Sequence, residues 1–213
     1  MATRSYDATR RRERADEERR ATRRRVVEAA RELFVTRGYV ATTVADIAKE
    51  AGVALQSVYN AGKSKAALMH LVVDLAVAGD DQEVLLTDRP SFTAITEQPT
   101  AERQVETIAA LIAETMQRLA PVWVAYRQAA AVDPSAAASL EAAHRRRNET
   151  FSTMIGMVDQ ERLRLPPDEA TDTAWAVGSI DVYLLLRSIR GWDHERYARW
   201  LTRTLVDQLV EPA

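Results

Sequence analysis

The chain has 213 residues, a formal net charge of −2 and no cysteine. This length suits one or two domains, and the absence of cysteine excludes disulfides, thiolate metal sites and cysteine nucleophiles. The Arg-rich N-terminus lacks the apolar region of a secretory signal. No run approaches the roughly 20 apolar residues of a membrane span, so we expect a cytoplasmic protein.

The charge is unevenly distributed. Residues 1–70 contain 15 Lys and Arg against 9 Asp and Glu, whereas residues 71–213 contain 14 against 22. A basic first third on an acidic protein is expected when only that third meets phosphates. We interpret residues 1–20 as a flexible basic arm that could reach along DNA through Arg10, Arg11, Arg12 and Arg14. A solvated tail is an equally good interpretation, because acidic residues offset part of the charge.

Two short helices joined by a tight turn are predicted around residue 52. Thr43 and Asp46 have the spacing of a capping box, and Gly52 can end the first helix in a left-handed conformation. The second helix runs from Leu55 to about residue 60, with Val58 and Tyr59 facing inward. A longer helix is predicted before them, over about 22–37. The two short helices form a helix-turn-helix, whose second helix fits a DNA major groove.

This stretch resembles the DNA-binding domain of the tetracycline-repressor (TetR) family. The resemblance implies a homodimeric repressor that a small molecule releases from a palindromic operator, with DNA-backbone contacts at Thr43, Tyr59 and Lys65. Three positions depart from the family: Ala54, Asn60 and Gly62 stand where a capping Ser, an aromatic or His, and a Phe are usual. The matching residues are Leu33, Phe34, Gly38, Tyr39, Thr42, Thr43, Val44, Asp46, Ile47, Ala48, Ala51, Gly52, Val53, Val58, Tyr59, Lys65 and Leu68.

The second helix of the motif supplies most of the candidate DNA contacts. The amide of Gln56 can pair with adenine, and Leu55 can touch a thymine methyl. Hydroxyl groups and lysines suit phosphate oxygens, and the start of the following helix favours anions. The predicted DNA-binding residues are Thr43, Leu55, Gln56, Ser57, Tyr59, Asn60, Lys63 and Lys65.

The rest of the chain is predicted to be helical. Apolar residues recur at helical spacing over about 102–119, 121–132, 133–160, 168–190 and 193–210, while 79–100 has no clear period. We therefore expect an all-α protein of about nine helices. Residues 21–66 would be the DNA-binding domain, and residues 67–213 an effector-binding and dimerisation domain.

Aromatic residues and arginines in this body are candidates for two roles, with ordinary core packing as the alternative for each. A cavity between helices could bind an effector, and Arg127 would suit an anionic one. Its predicted lining is Trp123, Tyr126, Arg127, Phe151, Met154 and Trp175. By the resemblance, the last two helices form the dimer interface, with Trp175, Tyr183, Arg187, Trp200 and Arg203 as candidates.

We expect no enzymatic activity, no cofactor and no metal site. The three histidines fit no zinc-binding pattern, and no phosphate-binding glycine loop or nucleophile elbow occurs. The predicted function is a sequence-specific transcriptional regulator. Two alternatives stay open: a DNA binder that needs no ligand, and a small-molecule sequestering module with a vestigial DNA unit.

Overall fold

A computed structural model describes residues 2–80 and 84–212, with side chains described from Arg14 onward. Within these residues there is no β-strand, only one isolated antiparallel bridge between Leu163 and Val210. The all-α prediction is confirmed. The helices are α1 (Ala2–Arg37), α2 (Val44–Ala51), α3 (Leu55–Gly62), α4 (Lys65–Ala78), α5 (Pro90–Thr96), α6 (Ala101–Val132), α7 (Pro134–Gly156), α8 (Pro167–Val177), α9 (Ile180–Leu184) and α10 (His194–Leu209).

The chain divides into two compact units. The first comprises residues 1–74 and 124–137, and the second comprises residues 75–123 and 138–213. The first unit thus includes the helix-turn-helix together with the end of α6 and the start of α7. The functional division predicted at residue 66 stays a prediction.

Helix α1 is longer than the sequence pattern indicated. Its backbone is helical from Ala2, where we predicted an irregular arm up to residue 20. Arginine, glutamate and alanine are all good helix formers, and pairs such as Asp16–Arg19 and Glu28–Arg31 join neighbouring turns. The side chains of Arg10, Arg11 and Arg12 lie outside the described residues, and the flexibility of the arm stays a prediction.

The core of the first unit forms where the apolar period of α1 meets α2, α3 and α4. The ring of Phe34 lies 5.5 Å from that of Tyr39, centroid to centroid, and both are buried. Val26, Ala30, Leu33 and Phe34 recur at helical spacing and form the inner face of α1, whereas Arg37 is exposed. The buried side chains of this core include Val26, Ala30, Leu33, Phe34, Tyr39, Ile47, Ala48, Val58, Leu68, Met69 and Val72.

The second unit corrects three predicted boundaries. A short helix, α5, occupies part of the stretch for which no period was found, and α6 continues through Pro121, where we predicted an end. The predicted helix over 168–190 is broken at Gly178, and Ser179 caps the next segment by accepting a hydrogen bond from the backbone N–H of Val182. A π-helical turn, Leu185–Ile189, follows α9. If α8 and α9 are counted as one interrupted helix, the described residues contain nine helices, which is the predicted number.

Gly62 is a packing position. It is buried at the end of α3, and a Cβ built there would lie 2.6 Å from Cγ of Leu68. Leu68 itself is buried, so its side chain fills the space beside a residue that has none. The departure from the family pattern at Gly62 is therefore matched by the packing of Leu68.

We predict that Gly62→Ala destabilises the protein. The added methyl group overpacks the contact with Leu68, which should lower the free energy of unfolding by about 1–3 kcal/mol. Gly156→Ala is the control, because nothing lies within 4 Å of a Cβ at that helical position. Urea unfolding of both variants checks this, and equal stabilities would contradict the packing role.

Candidate nucleic-acid interface

The entry to α2 is held by a capping box. Oγ1 of Thr43 accepts a hydrogen bond from the Asp46 backbone N–H at 3.1 Å, and the Asp46 carboxylate accepts from the Thr43 backbone N–H at 2.9 Å. The Thr43 hydroxyl also donates to the Asp46 carboxylate at 2.6 Å, and this bond, followed by the one from the Thr43 backbone N–H, lowers the pKa of Asp46. Gly52 ends α2 with φ 63°, which L-residues with a Cβ rarely adopt. The predicted start and end of α2 are both confirmed.

Helix α3 exposes one continuous stripe. Leu55 is 46% exposed and Tyr59 is 43% exposed, and Gln56, Asn60 and Lys63 are also exposed. The opposite side of the helix is anchored by the buried Val58. We predicted that Tyr59 faces inward, and this is wrong. The residues one helical turn apart at 55, 56, 59, 60 and 63 share a single face, so Tyr59 lies with the polar residues.

The two amides on this stripe orient one another. Nε2 of Gln56 donates a hydrogen bond to Oδ1 of Asn60 at 3.1 Å. This bond leaves Oε1 of Gln56 as an acceptor and the Asn60 amide as a donor, both on the exposed face. Such a pair matches the donor and acceptor groups that base pairs present in the major groove.

Lys63 lies at the end of the stripe in an unusual backbone conformation. It is the one described non-glycine residue with positive φ, at 56°, and its N–H donates to the Tyr59 carbonyl as the C-cap of α3. A lysine in this region of φ costs about 1–2 kcal/mol. The chain therefore retains a lysine where glycine would be relaxed, and its ammonium group is exposed.

Of the remaining predicted contacts, Thr43 and Lys65 are already engaged within the protein. Ser57 is half-buried, and Thr43 is exposed but committed to its cap. Nζ of Lys65 donates to the carbonyls of Tyr39 and Thr42 at 2.9 and 3.0 Å, and lies 4.1 Å from the centre of the Tyr39 ring. Burial lowers the pKa of Lys65. Only one of its three N–H groups is left for a phosphate.

The hydroxyl of Tyr39 ties this cluster to a distant part of the sequence. It donates to Oδ2 of Asp133 at 2.8 Å. Oδ1 of the same carboxylate accepts from the backbone N–H groups of Ser135 and Ala136, which caps α7. Burial and the Asp133 contact raise the pKa of Tyr39, and the Tyr39 hydrogen bond is the main cause of the lowered pKa of Asp133.

The sequence indicated only one side of the contact between Tyr39 and Asp133. The Asp133-Pro134 pair did predict the start of α7, but nothing in the sequence joined residue 133 to residue 39. The contact spans 94 positions along the chain. Lys65, Tyr39 and Asp133 position the helix-turn-helix from inside the first unit.

Residues 26–72, which span these helices, match the profile of a family described as bacterial regulatory proteins, tetR family. The chain carries a TetR-family DNA-binding domain. The predicted resemblance is thereby confirmed, and with it the interpretation of the chain as a DNA-binding regulator without enzymatic activity. None of the curated proteins matches the chain.

Several solved structures share the fold over nearly the whole chain. A protein from Saccharomonospora viridis described as a transcriptional regulator, in complex with choline, is 20% identical, with TM-score 0.66 over 89% of this chain and 98% of that one. NalD, the secondary repressor of the MexAB-OprM multidrug efflux pump in Pseudomonas aeruginosa, is 22% identical, with TM-score 0.63 over 92% and 100%. The SmeT–triclosan complex is 17% identical, with TM-score 0.68 over 91% and 93%. At these identities the likeness establishes the fold.

The predicted effector residues fall in both units. Tyr126 and Arg127 belong to the first, where Tyr126 is buried and Arg127 is exposed. Trp123, Phe151 and Met154 are buried in the second unit, where Trp175 is half-buried. A pocket lined by all six stays a prediction.

The predicted dimer residues differ in exposure. Tyr183 is buried, with its ring 4.6 Å from that of Tyr197, and Trp200 packs edge-on against Trp192 at 5.9 Å. Arg187 donates to the Trp192 carbonyl. Of the five candidates, Arg203 is the one that is fully exposed, and Trp175 is half-buried.

We predict that Tyr39→Phe weakens the first unit in a pH-dependent way. Loss of the hydrogen bond to the Asp133 carboxylate should cost about 1 kcal/mol near neutral pH. Folding lowers the pKa of Asp133, so its contribution is present above the unfolded pKa of about 3.9 and is lost as pH falls through the lower folded value. Urea unfolding at pH 7 and below pH 4 should therefore show the difference shrinking.

The control is Tyr59→Phe, which removes an exposed hydroxyl from the same unit. Its stability should equal that of the unaltered chain at both pH values. A pH-independent loss in Tyr39→Phe would show that the Asp133 contact does not stabilise the fold.

Proposed function

We propose that the protein is a homodimeric transcriptional repressor that binds a palindromic operator and is released from it by a small molecule. The observation that carries the proposal is the exposed stripe of α3, which presents an oriented Gln56–Asn60 amide pair between an apolar Leu55 and a cationic Lys63. Base reading needs amides on an exposed helix face, and phosphate binding needs a cation at its edge.

Dimerisation follows from the size of the reading unit. One α3 helix of eight residues can contact only a few base pairs, so a specific regulator pairs two copies across half-sites roughly 34–36 Å apart. Helix α10 offers a surface for this pairing. An open groove of about 480 Å³ is lined by Glu106, Ala198, Arg199, Thr202, Arg203, Val206 and Asp207.

The chemistry of this groove fits a helix–helix interface. Ala198, Thr202 and Val206 recur every four residues and form a stripe of small and apolar side chains. Arg199, Arg203 and Asp207 border the stripe, as in interfaces with an apolar centre and a charged rim. Leu185 and Ile189 add exposed apolar surface at 55% and 74% exposure.

An effector is supported by the structural relatives. The S. viridis protein is in complex with choline, and SmeT with triclosan. NalD, by its description, represses an efflux pump. An effector bound in the second unit would favour dimers whose two α3 helices no longer match the half-site spacing.

The first test is selection of random duplex DNA on the purified chain at physiological salt. We expect a palindromic consensus, because two copies of α3 read equivalent half-sites. Gln56→Ala should weaken binding to that consensus by about 1–3 kcal/mol and relax the preference at one position of each half-site. Gln117→Ala, an exposed glutamine on α6, is the matched control.

Two outcomes would contradict the proposal. Recovery of no consensus would favour a nonspecific binder or a sequestering module, whose weak DNA binding would fall steeply with salt. If Gln56→Ala binds the consensus as tightly as the unaltered chain does, Gln56 on α3 does not read bases.

The α10 groove leads to a prediction about the oligomer. Val206→Glu places a charge on the apolar stripe of the groove, where dimerisation would withdraw it from water. Light scattering should show a dimer for the unaltered chain and a monomer for this variant. Val84→Glu, at an exposed loop position, should stay dimeric, and a dimeric Val206→Glu would show that the interface lies elsewhere.

A further inference from the structure

Arg147 lies between two aromatic rings in the second unit. Its guanidinium carbon is 4.5 Å from the ring centre of Phe151 on α7 and 4.7 Å from that of Trp175 on α8. Its Nη2 donates to the backbone carbonyl of Trp175 at 2.5 Å. This is the one hydrogen bond of the guanidinium to the described residues, although the group carries five N–H donors.

The charge of Arg147 has no close counter-charge. Among the residues that the structure describes, no carboxylate forms an ion pair with it. Burial lowers the pKa of Arg147 to about 10, and the charges of Tyr197 and Asp181 act in the opposite direction. Arg147 is half-buried, and a cation withdrawn from water is costly unless a negative group pairs with it. The position therefore has an unmet requirement for an anion.

Two further donors lie around this cation without partners in the described part of the chain. The hydroxyl of Tyr197 and Nε1 of Trp175 are both buried, and neither makes a hydrogen bond there. Tyr197 is fully buried on the inner face of α10, and the charges of Arg147 and Tyr197 influence each other's pKa. Buried polar groups are nearly always hydrogen-bonded, so two buried donors without acceptors beside a cation are exceptional.

The surroundings of these donors are aromatic. The rings of Phe151 and Trp175 flank Arg147, and the ring of Tyr183 meets that of Tyr197 edge-on at 4.6 Å. A ligand that satisfies the donors would therefore carry acceptor oxygens at one end and an apolar or aromatic body at the other. Guanidinium and carboxylate groups also match in their planar geometry, which permits two parallel hydrogen bonds.

We infer that Arg147, Trp175 and Tyr197 form the binding site for an organic anion with a carboxylate group and an aromatic body. This rests on the proposed function, because it gives the effector a chemical class and a place. It assigns the cationic role to Arg147 in place of the predicted Arg127. It keeps Phe151 and Trp175 from the predicted set and adds Tyr197, which the sequence indicated only as part of the inner face of α10.

The test uses benzoate as the probe and benzamide as its neutral counterpart of the same shape. Calorimetry on the full chain should show benzoate binding and benzamide binding at least tenfold more weakly, because only benzoate pairs with Arg147. Arg147→Gln should abolish the difference between the two probes. Tyr197→Phe should weaken benzoate several-fold while preserving the core packing, and keeps the test valid if Arg147→Gln fails to fold.

Arg145→Gln is the matched control, since Arg145 lies exposed on the same helix and should leave benzoate binding unchanged. Equal binding of the two probes would overturn the inference, as would unchanged benzoate binding in Arg147→Gln or Tyr197→Phe. Failure to detect benzoate binding at concentrations up to about 10 mM would also overturn the inference. Operator binding without benzoate is measured separately, so a failed anion site is distinguishable from a failed regulator.

Discussion

The buried phenol of Tyr39 is the contact on which the DNA-binding unit depends. Its ring packs on Phe34 and lies against the Lys65 ammonium, and its hydroxyl reaches the Asp133 carboxylate. Helix α1, the start of α4 and the start of α7 are thereby connected through one side chain. The hydroxyl donates to the Asp133 carboxylate and the ammonium donates to the backbone carbonyls of Tyr39 and Thr42, so removal of either donor leaves acceptors without their partner. The orientation of α2 and α3 is set on this framework.

That framework separates two kinds of residue within the first unit. Lys65 is used to hold the turn after α1, through the carbonyls of Tyr39 and Thr42, and Thr43 is used to cap α2. The side chains of Gln56, Asn60 and Lys63 on the exposed stripe of α3 have no comparable structural role. Positions that match the family pattern, such as Thr43 and Lys65, can thus serve the fold. Asn60, a departure from the family pattern, is hydrogen-bonded to Gln56, and this pairing is the basis for its role in the base reading that we propose.

The second unit differs from the first because some of its buried polar groups lack partners in the described residues. Where the first unit pairs its buried charges, Arg147 is held by two rings and a single carbonyl, and the Tyr197 hydroxyl beside it has no partner in the described residues. Unsatisfied donors of this kind reduce stability unless a ligand supplies the acceptors. Unsatisfied donors can serve regulation. A ligand that supplies acceptors to them binds more tightly to the conformation of the second unit in which the donors lie together, and so favours that conformation.

The sequence by itself determined the elements whose signals are local. The capping box at Thr43, the left-handed turn at Gly52, the apolar period of α1 and the Asp133 cap of α7 each depend on residues within a few positions of one another, and all occur as predicted. Only the tertiary structure decided that α6 passes through Pro121, that Tyr59 faces outward and that Leu68 fills the space at Gly62. It also decided the links from Tyr39 to Asp133 and from Arg147 to Trp175 and Tyr197. These features depend on packing between residues far apart in the chain, and no helical period or turn signal carries that information.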